Sequence, residues 1–293
     1  MAGRGAAAVI ADLVARLPRR WLYAVTAALG WLAWTLHVRR KVVLSNLELA
    51  FPGETEAWRR DVGRRTYLNL GRMAAEILLV PRMSREELER ILIYENFEAV
   101  EAGLARGKGV VACTAHFGNW ELLQAATALR GTPISSISRH EARTGADSLL
   151  KRTRAGAGVE ELVVKRGETL KAALRALKQG RVLGYVIDQN VSRRRAVFPT
   201  FFGVAAATSP TPAYFAIRNG AAVIFAVAAP EGDGRYRVVI EGPFEPEDTG
   251  DRDRDVLAFM QRLNDRLEYW VRRYPDRWYW LHRRWKTRPA SED

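Results

Sequence analysis

The sequence predicts an α/β protein: a mixed, mostly parallel central sheet flanked by helices, with an apolar N-terminal helix of the kind that associates with membranes. Three observations predict it. From about residue 108, short β-branched runs alternate with longer amphipathic ones, the pattern of a parallel sheet covered on both faces. The last two strand candidates are joined by Pro230-Glu231-Gly232-Asp233-Gly234, a hairpin signal that makes the sheet mixed. Residues 21–38 contain no Lys, Arg, Asp or Glu.

As a helix, residues 21–38 measure roughly 27 Å, just short of a hydrocarbon core of about 30 Å. Arg19-Arg20 precede the run and Arg39-Arg40-Lys41 follow it, so the positive-inside rule gives no orientation. Trp21, Trp31, Trp34 and Tyr23 suit an interfacial position. The run ends in basic residues rather than a small-residue cleavage site, so it does not read as a signal peptide. A spanning anchor, an interfacial helix and a helix packed on the rest of the chain remain open, with membrane attachment favoured. The chain accordingly divides into a membrane-associating segment, 1–45, and an α/β domain, 46–293.

Residues 54–80 read as an amphipathic helix and 85–93 as a short one. Strands are expected at 109–115, 133–138, 182–188, 222–229 and 235–241, and helices near 119–130, 144–155, 167–178, 208–219 and 252–273. In the last helix, Val256, Phe259, Met260, Leu263, Leu267, Trp270 and Val271 form one core-facing stripe.

At 293 residues and 48% hydrophobic content, the chain supports a substantial core and is not a disordered segment. A net charge of +13 requires acidic partners: nucleic acid, an anionic membrane, a phosphorylated lipid or an acidic protein. One cysteine, Cys113, excludes an internal disulfide and fits a reducing compartment, and one Cys with four scattered His residues gives no zinc-type spacing.

The most informative stretch is Ala115-His116-Phe117-Gly118-Asn119-Trp120-Glu121, which follows the buried-strand pattern Gly109–Thr114 and leads into an apolar helix. It puts an imidazole at the carboxyl edge of a sheet, where open α/β sheets hold their ligands. Glu121, in the first helical turn, is expected to fold back onto one ring nitrogen and leave the other as a base. With no Ser or Cys nucleophile attached, the simplest chemistry is deprotonation of a substrate hydroxyl that then attacks an activated carbonyl. Cys113, three residues before His116, is a rival acyl-carrying nucleophile, disfavoured by its place inside the strand. The backbone N–H groups of Gly118 and Asn119 lie near a helix start and can stabilise an oxyanion, or serve the turn alone.

His116, four residues and Glu121 are similar to the HX4(D/E) motif of the lysophospholipid acyltransferase superfamily. Within it, the chain resembles the late acyltransferases of lipid A biosynthesis, the lauroyl and myristoyl transferase type. Asn46-Leu47-Glu48-Leu49-Ala50-Phe51-Pro52, Asp188-Gln189-Asn190, Phe201-Phe202-Gly203 and Trp280-Leu281-His282-Arg283-Arg284-Trp285-Lys286-Thr287-Arg288-Pro289 carry the resemblance in family order, over about residues 15–289.

The resemblance implies a glycerolipid-acyltransferase-like fold and transfer of a fatty acyl chain from a thioester, acyl-acyl carrier protein or acyl-coenzyme A, to a hydroxyl of a phosphorylated glycolipid, a lipid A precursor. It implies His116 as base with Glu121 as its partner, at the cytoplasmic face of an anionic inner membrane, with no nucleic acid as partner. The chemistry requires no metal or organic cofactor. Asp188, with Gln189, belongs to a motif near the site, where a role orienting Arg or Asn side chains is expected. Arg139, Arg152 and Arg154 are the open choices for a phosphate-holding arginine, each taken singly reading more readily as a solvated surface charge. Arg284, in the C-terminal motif, is a further substrate-binding candidate, in a segment whose alternating aromatics and cations suit an interfacial belt or cation–π packing. Arg193-Arg194-Arg195 reads as a phosphate or carrier-protein patch or a solvated loop, and Phe198–Gly203 as acyl-channel lining or core. Acylation of another glycolipid, such as a phosphatidylinositol mannoside, keeps the chemistry and changes the acceptor. A non-enzymatic binder of anionic lipid or nucleic acid accounts for the charge but leaves His116 and Glu121 unexplained.

Overall fold

The computed structural model describes residues 17–138, 145–163 and 168–290. Its centre is a seven-stranded sheet in the order β1-β9-β8-β2-β5-β3-β4, formed by β1 (Leu92–Glu95), β2 (Val110–Thr114), β3 (Ile134–Ser138), β4 (Glu160–Val163), β5 (Val182–Val186), β8 (Ala222–Gly232) and β9 (Arg235–Phe244). β6 (Thr200–Phe201) and β7 (Val204–Ala205) form a separate small ribbon. Only the β8–β9 pair of the large sheet is antiparallel. Its turn residues Asp233 and Gly234 both have positive φ, as the twist of a tight hairpin demands. The predicted mixed, mostly parallel sheet is therefore observed.

The helices are α1 (Arg19–Thr35), α2 (Arg40–Ala50), α3 (Glu56–Leu79), α4 (Arg85–Ile91), α5 (Glu98–Ala105), α6 (Trp120–Leu129), α7 (Gly145–Gly156), α8 (Thr169–Lys178), α9 (Thr211–Asn219) and α10 (Arg252–Arg273). Their starts are set by local chemistry. Thr55, Asn119 and Asp251 each accept a main-chain N–H in the first turn that follows, and Ser84 with Glu87 forms a reciprocal capping box. The expected stripe of α10 is buried.

Besides the small β6–β7 ribbon, two strands of the large sheet escape the sequence pattern. Residues 92–95, the first two of which were expected to finish the helix at 85–93, instead pair in parallel with β9 at the sheet edge. Residues 160–163 form the opposite edge, with Glu160 and Glu161 on a strand too short and too acidic to read as one.

Strand alternation sorts β2 between two cores. Val111, Cys113, Ala115 and Phe117 join the cluster that includes α10 and the C-terminal tryptophans, whereas Val110 packs with Leu122, Ile224 and Val238 on the other face. Buried Cys113 thus faces away from the side that Ala112, Thr114 and His116 share, and burial pushes its thiol pKa up. Both features remove it as a nucleophile.

No single described helix is long and apolar enough to cross a membrane; α1 and α2 pass that test only together, and they meet at an 82° bend. α1 packs tightly on α3. A Cβ on Gly30 would lie 2.3 Å from the Tyr67 carbonyl oxygen, and one on Gly71 2.3 Å from that of Thr26. α2 runs through the expected boundary at 45/46 and buries Val43 and Leu47 in the main core.

Candidate active site

β2 and β5 are parallel neighbours paired with Thr114 opposite Val186. Two residues beyond that pair, the same register sets His116 beside Asp188. The Asp188 carboxylate is 2.8 Å from His116 Nδ1 through Oδ1, and its Oδ2 accepts from the His116 main-chain N–H at 2.9 Å. Trp278 adds a third contact, its indole N–H donating to Oδ2 at 2.7 Å. Burial raises the carboxyl pKa, but the imidazole and the hydrogen bonds from His116 and Trp278 outweigh it and hold it below the ordinary carboxylate value. An ionised Asp188 fixes the proton on Nδ1 and leaves Nε2 with its lone pair free to act as a base. The ring lies edge-on to Trp120 at 4.7 Å, with 18% of the side chain exposed.

The expected Glu121–His116 contact is therefore corrected. Asp188, expected to orient Arg or Asn side chains, orients the imidazole itself. Glu121 is the second residue of α6, 2% exposed, and its carboxylate accepts from the Arg154 Nε (2.9 Å) and Nη2, from Gln124 and from the Trp120 indole. Arg154 also binds Glu161 at 3.1 Å. Burial alone lowers the guanidinium pKa; the two carboxylates outweigh it and raise it.

The turn is held from behind. Gly118 has φ +58°, and a Cβ there would lie 2.1 Å from the Ala228 carbonyl oxygen, so only glycine fits. Its N–H donates to the Arg277 carbonyl at 2.9 Å, so Gly118 supplies a turn and not the expected substrate contact. Asn119 is fully buried. Its side chain caps α6 at Leu122 N–H and donates to Glu76 Oε2 at 2.7 Å. Glu76, on α3, also accepts from the Tyr236 hydroxyl and from Arg72. Glu76 was missed because a carboxylate on an amphipathic helix reads as solvated.

The C-terminal segment forms the floor rather than an interfacial belt. Trp278 and Trp280 are buried, and Asn46, from the first motif, donates to the Trp280 and His282 carbonyls at 2.8 and 2.7 Å. Arg284 is fully buried over Phe201 and donates to the Ala207 carbonyl and the Thr208 hydroxyl. Burial pulls its pKa down to about 10. It braces the core and does not line the cavity beside His116, where a substrate contact was expected of it. Phe201 and Phe202 are likewise core. His282 Nε2 accepts the Asn190 N–H at 2.7 Å, and burial pulls its pKa down to about 4.

A cavity of about 1770 Å³ opens beside His116. That exceeds the roughly 300–1,000 Å³ of a site for one small ligand. It runs over the sheet face bearing Ala112, Ile224 and Val238, towards Phe97 and Val100. Gln189 and Arg154 line it, as do the cations Arg194, Arg195, Arg218 and Lys286. Arg152 is exposed on α7 and does not line the cavity, and Arg139 lies outside the described residues. Among the described residues, no three His, Cys, Asp or Glu side chains are arranged to hold a metal ion.

Fold and site together describe an α/β protein with an Asp188-held histidine lining a large, mainly apolar cavity. The family model described as bacterial lipid A biosynthesis acyltransferase matches residues 5–287, and the chain belongs to that family. It is an O-acyltransferase of the late lipid A type. It is 28% identical over 281 residues to the lipid A biosynthesis lauroyltransferase of Escherichia coli (strain K12), covering 95% of this chain and 90% of that one. It is 24% identical to the lipid A biosynthesis palmitoleoyltransferase of the same organism (87% and 81% covered). It is 27% identical to a phosphatidylinositol mannoside acyltransferase of Mycolicibacterium smegmatis (77% and 72% covered).

Proposed function

We propose that this protein transfers a fatty acyl chain from acyl-acyl carrier protein to a hydroxyl of a phosphorylated lipid A precursor, at the cytoplasmic face of the inner membrane. The observation that carries the reading is the Asp188-held His116 at the mouth of the apolar cavity. Nε2 takes the proton of the acceptor hydroxyl as its oxygen attacks the thioester carbonyl, and Asp188 stabilises the imidazolium that forms. The apolar cavity receives the acyl chain. Arg194, Arg195, Arg218 and Lys286 attract the phosphates of the acceptor and the acidic carrier. The thioester supplies the activation, and positioning supplies much of the rate.

The outer face of α1 supports membrane attachment. Trp21, Val25, Leu29, Leu32 and Leu36 form an exposed apolar stripe, with Trp31 beside it, while Leu22, Thr26 and Trp34 pack inward. A helix committed on one side to α3 lies in the interface rather than crossing it.

The test is incubation of the detergent-solubilised protein with acyl-carrier-protein and coenzyme A thioesters, together with a lipid A precursor and a phosphatidylinositol mannoside, with products read by mass spectrometry. Acyl mass gain on the lipid A precursor, from the carrier-protein donor, is the expected result. Gain on the mannoside alone replaces the acceptor, gain from coenzyme A alone replaces the donor, and no gain on either lipid overturns the reading.

A further inference from the structure

Among the described polar side chains of the cavity, Gln189 alone is placed within hydrogen-bond distance of His116 Nε2. Its Nε2 is 3.3 Å from His116 Nε2. With Nδ1 protonated towards Asp188, His116 Nε2 carries a lone pair, so the group facing it must be a donor, and the Gln189 amide presents its NH₂. The residue is half-buried in the cavity wall and held from both sides. Asp188 before it is fixed by His116 and Trp278. Asn190 after it donates its N–H to His282 Nε2 and exchanges side-chain hydrogen bonds with Thr287 at 3.0 and 3.1 Å.

Several donors around the His116 turn are already engaged. The Phe117 N–H donates to the Ala115 carbonyl, the Gly118 N–H donates to Arg277, and the Asn119 side chain is bound at both ends. The Arg154 guanidinium is neutralised by Glu121 and Glu161.

We propose that Gln189 is a catalytic residue whose side-chain amide donates to the acyl carbonyl oxygen as that oxygen gains charge. The inference rests on the acyl-transfer reading. As the acceptor hydroxyl displaces the Gln189 amide from Nε2, its O–H bond breaks and the proton passes to Nε2. The oxygen's electron pair forms the new C–O bond. The carbonyl π pair moves onto the carbonyl oxygen, which accepts the Gln189 N–H. On collapse the C=O bond re-forms and the C–S bond breaks with its electron pair. The thiolate then takes the proton from His116, leaving ester and thiol.

Gln189→Met keeps the length of the side chain and removes the donor; Gln189→Glu keeps the shape and sets a negative charge against the oxyanion. Steady-state kinetics on the full chain, with lauroyl-acyl carrier protein and a lipid A precursor, are expected to show kcat about 10²–10³-fold lower in Gln189→Met, and lower still in Gln189→Glu. KM for both substrates should stay within about two-fold and the melting temperature should not change. A wild-type-like kcat, or a loss confined to acceptor KM, in either variant that folds overturns the assignment while leaving the acyl-transfer reading intact. Absence of His116-dependent turnover in the wild type overturns both.

Discussion

Asp188 gathers the His116 ring, the His116 main-chain N–H and the Trp278 indole on one buried carboxylate. Asp188→Asn keeps that shape but permits the opposite imidazole tautomer, so kcat should fall about 10³–10⁴-fold in a folded protein, as measured by initial transfer rates. Glu121→Gln should act differently, by loosening Arg154: it is expected to lower stability by about 3 kcal/mol in denaturant titration, the effect of breaking a buried ion pair. His282 supplies a pH signature. Unfolded, its imidazole takes a proton near pH 6.5; folded, burial delays this to about 4. Between those values the unfolded chain binds more protons, so stability should fall as pH is lowered from 6.5 towards 4. The loss should be about 1–2 kcal/mol, the full shift being discounted because the ring is partly solvent-reached. Melting curves of wild type and His282→Gln check this, the variant losing less over that window. His116 was legible because a strand pattern ends in it. Its partner was not, because spacing along one chain favours Glu121, five residues on, over Asp188, which only strand pairing brings near.

At the scale of elements, the turn between β2 and α6 is held from α3 and β9 as well as by its own sequence. Glu76→Ala strands the Asn119 amide, the Tyr236 hydroxyl and Arg72 together and should cost about 3–5 kcal/mol in denaturant unfolding. Gly118→Ala adds a 2.1 Å clash with the Ala228 oxygen to an unfavourable φ and should cost on the order of 3 kcal/mol or more. The βα alternation was readable because β2, β5 and β8 are β-branched and bounded by turn residues. Edge strands β1 and β4 were hidden because four residues carry too little pattern, and because pairing with β9 and β3, not local propensity, makes them strands.

At the scale of the molecule, the +13 charge and the α1 stripe describe one surface chemistry, cationic and apolar together. Trp21→Ser with Trp31→Ser should reduce co-sedimentation with anionic vesicles several-fold and leave the melting temperature unchanged, since both side chains are exposed. Unchanged co-sedimentation would place attachment elsewhere. In the C-terminal motif the packing alternative holds over the interfacial belt: its tryptophans and Arg284 close the core beneath His116. We propose His116, held by Asp188, as the base for acyl transfer to a glycolipid hydroxyl. The most direct test compares the rate of lipid A precursor acylation by wild type, His116→Ala and Asp188→Asn, each shown folded by its melting curve. Loss of transfer in the first variant and a deep kcat defect in the second are expected, and near wild-type acylation by folded His116→Ala would rule His116 out as the base.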